Sequence, residues 1–531
     1  MFNSLIHSQF SNRRSYWYGV IFSIILLPAL FLPMSNDLSI FMRGGETVLA
    51  GGKLYKDFVD LKPPLIYYLS ALPQLFFGPS EFSPRLFDFL WQLATALSLY
   101  YVVRRIVKSE AAAAVSAAIY CVLYAILNSS QTYTCEGFSA IAVVWIIFLQ
   151  LYDSPVFFKK NFLMGMLIGW CIALKFTLGI ILFALIADDI FKNTFKSNFS
   201  GFVKKYTAVS LGILLLLMLG LSPLLDKETL DAYRDVLNYL VFYTNITPVS
   251  IQFFREALGS IAGFFGDIFS FFLFAALIVA VKPLFKRNSA ENRNIVGLCI
   301  LITGFFLISI IIEKRFNIYY FSRMYVPLSV LAGFGLLKVY RYLRSDWHQY
   351  SLLLKSLVVC SIIFFVPFSP LPRFINMMKM SGLYFSDHKK YEAMFERDDN
   401  NFQNYSQQKE IAHIIALKRK PGEKVFVMSI GASPIYNFLK IKNASKFAHS
   451  QFYYGNGVPE SWLNDAHREV FKTTWLVVQK NDGHPILNGH GRSSFQSLQQ
   501  DSVLWDYVQN NFTRTHTTQE FYIFHKNGAG R

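Results

Sequence analysis

Two stretches of the chain hold charges where a reaction at a membrane surface could use them. One is Ser35-Asn-Asp37, followed by Tyr55-Lys-Asp57-Phe-Val-Asp60-Leu-Lys62-Pro63-Pro64. Asp37 comes just after a long apolar run, where a helix would leave a bilayer. Proline fixes φ and restricts the residue before it, so Lys62 sits on an extended backbone rather than on a mobile tip. A carboxylate and a rigidly held ammonium at one depth suit a reaction at the lipid headgroups, the acid taking a hydroxyl proton and the cation holding a phosphate. Read alone, Asp37 is equally an interfacial polar anchor. The second stretch holds Lys175 inside apolar sequence. An ionisable residue in that setting points to function, here contact with a phosphate, and the alternative is a side chain that snorkels to the interface. The ten histidines show no HExxH spacing, and no GxGxxG fingerprint or Walker A loop is present.

These residues must be positioned by membrane helices. Of 531 residues, 53% are hydrophobic and 16% charged, against about 25% charged in soluble proteins. That shortfall, with repeated apolar stretches near the ~20 residues that cross a bilayer, excludes a soluble enzyme, a disordered chain and a secreted disulfide scaffold. The formal charge of +17 is carried mostly between apolar segments, so it reads as a topology signal rather than a nucleic-acid surface. Cys121, Cys135, Cys171, Cys299 and Cys360 fall inside apolar segments and read as packing residues.

The charge pattern predicts an inside N-terminus and a first span over 17–34. The run 65–77 is short and contains Pro73, so it is expected to lie along the membrane surface. Further spans are expected at 85–103, 111–128, 136–152, 206–224, 263–281, 295–312, 321–337 and 353–370. The stretch 161–191 reads as two short helices meeting near Lys175. This makes about eleven crossings, with basic clusters inside and the C-terminus outside.

Residues 371–531 have ordinary polarity. Lys420–Gly431 reads as turn, buried strand, turn; 476–479 and 521–525 are further strands, and 407–418 a helix. The expected organisation is therefore a transmembrane part, 1–370, carrying the first outer loop 36–64 and the interfacial helix 65–77, and an extracytoplasmic α/β domain, 371–531.

With Asp37, the run Gly51-Gly-Lys-Leu-Tyr-Lys-Asp-Phe-Val-Asp-Leu-Lys-Pro-Pro-Leu65, and Phe77-Gly78 leading to Arg85, the chain resembles the GT-C fold glycosyltransferases that use polyprenyl-phosphate sugars. The closer group contains the protein O-mannosyltransferases and the lipid A aminoarabinose transferase. The resemblance implies a polytopic α-helical fold and an inverting transfer of sugar from an undecaprenyl-phosphate type donor to an extracytoplasmic hydroxyl. The acceptor would be lipopolysaccharide, a surface polysaccharide or a protein. The implied location is the bacterial inner membrane, and the implied partners are the donor, the acceptor and the bilayer, with no nucleic acid. By resemblance Asp37 is the catalytic base and Lys62 contacts the donor phosphate. The same resemblance makes Glu136, at the outer start of a span, the partner acid of Asp37, although a carboxylate favoured by the helix dipole explains it as well. Lys175 and Arg315 join Lys62 as donor-phosphate ligands, Arg323 being the weaker candidate, and Tyr55, Arg85 and Tyr320 complete the substrate-binding set. A monophosphate leaving group can be neutralised by lysine and arginine, so no cofactor and no obligatory metal are expected. The alternative function is a flippase or other transporter of lipid-linked sugars.

Overall fold

The computed structural model describes residues 13–152, 156–192, 194–268, 290–346, 351–352, 355–356, 360, 369–395, 404–441 and 445–528. The expected spans at 263–281 and 353–370, and the bases Lys282, Lys286 and Arg287, lie largely or wholly outside them. In chain order the main helices are α1 (Arg13–Leu30), α2 (Asn36–Leu49), α3 (Leu65–Phe77), α4 (Phe82–Val107), α5 (Glu110–Ala125), α6 (Cys135–Leu151) and α7 (Phe157–Leu174). They continue with α8 (Ile181–Phe191), α9 (Phe199–Gly220), α10 (Lys227–Asn245), α11 (Ile251–Gly263), α12 (Ala290–Glu313), α13 (Tyr325–Asp346), α14 (Tyr405–Lys418), α15 (Glu460–Phe471) and α16 (Ser502–Asn511). The strands are β1 (Val425–Met428), β2 (Trp475–Gln479), β3 (Phe512–Thr517) and β4 (Phe521–Lys526).

The chain forms two compact units. One comprises Met1–Leu32, Arg85–Gly220 and Ser250–Gly382; the other comprises Pro33–Pro84, Leu221–Val249 and Leu383–Arg531. This differs from the division expected at 370/371. The first outer segment and α3 group with the α/β domain, because the buried polar face of α2 is satisfied there.

The first unit is helical. Among the described residues five helices are long and apolar enough to cross a membrane: Phe82–Val107, Phe157–Leu174, Phe199–Gly220, Asn294–Glu313 and Ile318–Arg341. Shorter apolar helices occupy Tyr16–Leu30, Glu110–Ala125 and Cys135–Leu151, where spans were expected. The 161–191 stretch divides as the sequence suggested. α7 ends at Lys175, whose backbone is extended, and a 3-10 turn, Phe176–Ile180, leads into α8. Cys121, Cys135, Cys171 and Cys299 are buried, whereas Cys360 is exposed, contrary to the packing role expected for it.

The second unit carries a four-stranded sheet of order β1-β2-β4-β3. β1 and β2 pair in parallel and are buried at every residue, as expected of apolar strands covered on both faces. β4 runs antiparallel to β2 and to β3. Ile411 and Ile415 of α14 pack with Val425, Val427, Val477 and Ile523 in the core.

The segment expected as an outer loop, 36–64, opens with a 14-residue helix, α2. Ser35 caps it, its hydroxyl accepting from Leu38 N at 3.3 Å, and Asp37 lies in the first turn, where the helix dipole favours a carboxylate. α2 packs closely on α3 because residues 44 and 45 are glycines. A Cβ on Gly45 would lie 2.7 Å from the Ala71 nitrogen, closer than packed atoms tolerate. α3 occupies Leu65–Phe77, as the sequence predicts, and ends at Gly78, whose φ is +76°.

Candidate active site

In the second unit the site is built on one face of α2. Asn36, Ser39 and Arg43, spaced i, i+3 and i+7, are all buried and point the same way. Asn36 Nδ2 donates to Ile430 O at 3.2 Å, and Ser433 N donates to Asn36 Oδ1 at 3.3 Å. Ser39 Oγ bonds Ser433 Oγ at 3.2 Å and Asn437 Oδ1. Arg43 donates to the carbonyls of Ser445 and Phe447 and lies 4.3 Å over the Tyr436 ring. The neighbour of Asn36 is Asp37, half-buried at the helix start. The carboxylate is therefore carried by a turn whose amide is anchored to the loop after β1.

That loop is itself fixed. Ser429 Oγ accepts from Gly431 N and Ala432 N, each at 2.9 Å, and Asp482 Oδ2 accepts from Ile430 N at 2.7 Å. Burial raises the Asp482 carboxyl to about 6. His449 Nδ1 faces Ile430 O at 2.5 Å and its Nε2 lies 3.5 Å from Asn36 Nδ2, a pairing that suits the neutral ring. Burial lowers its pKa to about 4, against an opposing contribution from Asp60.

Lys62 is held through its backbone. The Tyr55 hydroxyl donates to Lys62 O at 2.8 Å and the Tyr67 hydroxyl approaches the same carbonyl at 3.4 Å while donating to Asp60 Oδ2 at 2.7 Å. Tyr55 has φ +68°, a strained backbone for a bulky residue, costing roughly 1–3 kcal/mol. Its ring is buried and packs 4.5 Å from Tyr233, and burial pushes the phenol pKa up, so it remains a neutral donor. Tyr55 therefore positions Lys62, with the Lys62 side chain half-buried beyond Pro63 and Pro64.

In the first unit a buried network joins two acids and two bases. Lys175 Nζ lies 2.8 Å from Glu136 Oε1 and 2.6 Å from Glu313 Oε2. Arg323 Nη2 lies 2.8 Å from Glu136 Oε1, and its Nη1 lies 2.8 Å from Glu313 Oε1. Ser309 and Thr177 add hydroxyl contacts, and the Tyr320 ring sits 3.9 Å under the Lys175 ammonium. The four ions come from the first turn of α6, the α7 break, the end of α12 and the turn Ser322–Met324 before α13. Formal charges cancel, which is how a buried ionic cluster is tolerated.

Glu136, Lys175 and Tyr320 are thus brought together. Arg323, the weaker of the two arginine candidates, supplies a guanidinium to the network, and Glu313, which the sequence did not single out, is its second acid. Arg85 is buried; its guanidinium donates to Leu32 O at 3.1 Å, Thr132 Oγ1 at 2.7 Å and Ser129 O at 3.4 Å. It pins the approach to α6. The buried face of α2 was also missed, although polar residues at i, i+3 and i+7 beside Asp37 were the available signal. Among the described residues no group of three or more His, Cys, Asp or Glu is arranged to hold a metal.

Residues 61–225 match a family model described as dolichyl-phosphate-mannose-protein mannosyltransferase. Sequence comparison with curated proteins gives no match. Among solved structures, ArnT from Cupriavidus metallidurans bound to undecaprenyl phosphate is similar with a TM-score of 0.54 at 12% identity, covering 97% of this chain and 98% of that one. The same protein in the apo state gives a TM-score of 0.57 at 10% identity over the same shares. The Archaeoglobus fulgidus oligosaccharyltransferase tethered with an acceptor peptide gives 0.51 at 12% identity, covering 97% of this chain and 74% of that one. At these identities the likeness is one of fold, and the fold is GT-C.

Two measurements test the geometry. Glu313→Gln leaves Lys175 and Arg323 sharing one carboxylate, and removing one partner of a buried pair costs roughly 3–5 kcal/mol. Glu313→Gln/Arg323→Met restores neutrality, so its loss of melting temperature in detergent should be smaller than the sum of the two single losses; additive losses contradict the network. The second uses pH. A histidine whose folded pKa lies below its unfolded value contributes stability that is present above pH 6.5 and lost as pH falls through about 4. Asp482, raised to about 6, acts in the opposite sense, its contribution being lost as pH rises through 6. His449→Gln, which cannot protonate, should lose less thermal stability than the wild type between pH 6.5 and 4; equal losses contradict the neutral His449 contact.

Proposed function

We propose that the protein is an inverting glycosyltransferase that moves a sugar from a polyprenyl-phosphate donor to an extracytoplasmic hydroxyl. The observation that carries this reading is the family match over 61–225, which begins at the Lys62-Pro63-Pro64 element. The GT-C fold supports it, as does the undecaprenyl phosphate bound to ArnT. In this reading the chain crosses the membrane about eleven times and the α/β domain faces outward. The acceptor belongs to the cell envelope, with lipopolysaccharide, a surface polysaccharide and a protein as its three forms.

The acceptor oxygen attacks the anomeric carbon as its proton passes to the Asp37 carboxylate. The bond from that carbon to the phosphate oxygen breaks, the electron pair leaving with polyprenyl phosphate. Lys62 neutralises the departing phosphate. A flippase would leave the donor covalently intact.

The test is release of polyprenyl phosphate from a radiolabelled polyprenyl-phosphate sugar by purified protein in detergent, with cell-envelope extract as acceptor. Release dependent on the extract is expected. Lys62→Ala should raise the donor KM at least tenfold with little change in melting temperature, and chelation by EDTA should leave turnover unchanged. An intact donor overturns the transferase reading, an unchanged donor KM overturns the role of Lys62, and loss of turnover restored by a divalent ion overturns metal independence.

A further inference from the structure

α2 does more than present Asp37. Its C-terminal half, from Arg43 to Ala50, forms one wall of a cleft of about 640 Å³ within the second unit, a volume in the range of small-ligand sites. The opposite wall comes from the start of β1 and from α15 and the turn after it, residues 424–426 and 465–473. With a rise of 1.5 Å per residue, the cleft begins roughly 9 Å along the helix from Asp37 and extends to roughly 20 Å.

Six cationic and four acidic side chains line the cleft. Most are already committed. Arg43 donates to backbone carbonyls, Lys446 and Arg468 share Asp465, and Lys56 pairs with Glu228. Lys424 and Lys472 are exposed and have no carboxylate partner among the described residues. The acids differ as well. Glu469 accepts from Lys446 N through Oε1, while its Oε2 is buried without a hydrogen-bond partner. The cleft therefore offers two uncommitted ammonium groups around a mixed floor of Val425, Phe426 and Ser445.

We infer that this cleft binds an anionic saccharide, the charged portion of the acceptor, with Lys424 and Lys472 on a phosphate or carboxylate group. A neutral glycan would leave the excess positive charge without a purpose, whereas an acidic group meets both lysines. The saccharide and acceptor assignments rest on the transferase reading; the anion site does not.

Isothermal titration of the purified full chain in detergent with glucose 6-phosphate, glucuronic acid and glucose tests the site. One or both acidic sugars should bind at least tenfold more tightly than glucose, with affinity falling as salt rises; binding of only one identifies phosphate or carboxylate as the recognised group. Lys424→Ala/Lys472→Ala, at exposed positions, should weaken that binding at least tenfold with an unchanged melting temperature. Asp37→Asn should bind as the wild type does. Equal affinity for glucose, no binding of either acidic sugar, or full affinity in the double variant overturns the site. Anionic-sugar binding in a protein that never cleaves the donor would uphold the cleft while refuting the transferase.

Discussion

A single buried amide holds the candidate base. Asn36 spends both ends of its side chain on the loop after β1, and an unsatisfied buried amide would be costly, so the first turn of α2 has one favourable seat. Ser39 and Arg43 repeat the constraint further along the same face. The helix is thereby locked to the sheet, and its two central glycines let α3 approach. α3 in turn is capped at its start by Pro64, two residues after Lys62, whose carbonyl is bound by Tyr55. The proposed base, the lysine proposed to bind phosphate and the sheet are therefore linked through side-chain contacts within one unit.

The helical unit uses a different device. Eight of its charged side chains occur in two balanced groups. Glu136 and Glu313 meet Lys175 and Arg323, while Asp188 and Asp189 meet Lys192 and Lys205. Each ion offsets the desolvation of another, so the net charge of the chain is carried elsewhere. Such a network fixes where α6 begins and where α7 and α12 end, which is a stronger constraint than apolar packing between helices can supply in a lipid setting.

Much of this was legible in the sequence. α3 matched its expected bounds because an apolar run lies between Pro64 and Gly78, and both breaks are local. The break at Lys175 and strands β1, β2 and β4 were equally visible. α2 was not, since Gly44 and Gly45 lower helix propensity in the middle of a short segment and are justified only by contact with α3. β3, Phe-Thr-Arg-Thr-His-Thr, is an exposed edge strand with one buried residue, so it lacks an apolar signature. The Glu313–Arg323 and Glu136–Lys175 pairs join distant turns, and no local pattern encodes which cation meets which acid.

The central claim, that Asp37 takes the acceptor proton, is tested most directly by single-turnover transfer with Asp37→Asn. Asparagine keeps the size and polarity of the helix start, so folding and donor affinity should persist. Loss of a positioned base should slow transfer by about 10²- to 10⁴-fold. Transfer at the wild-type rate with donor binding intact would contradict the account.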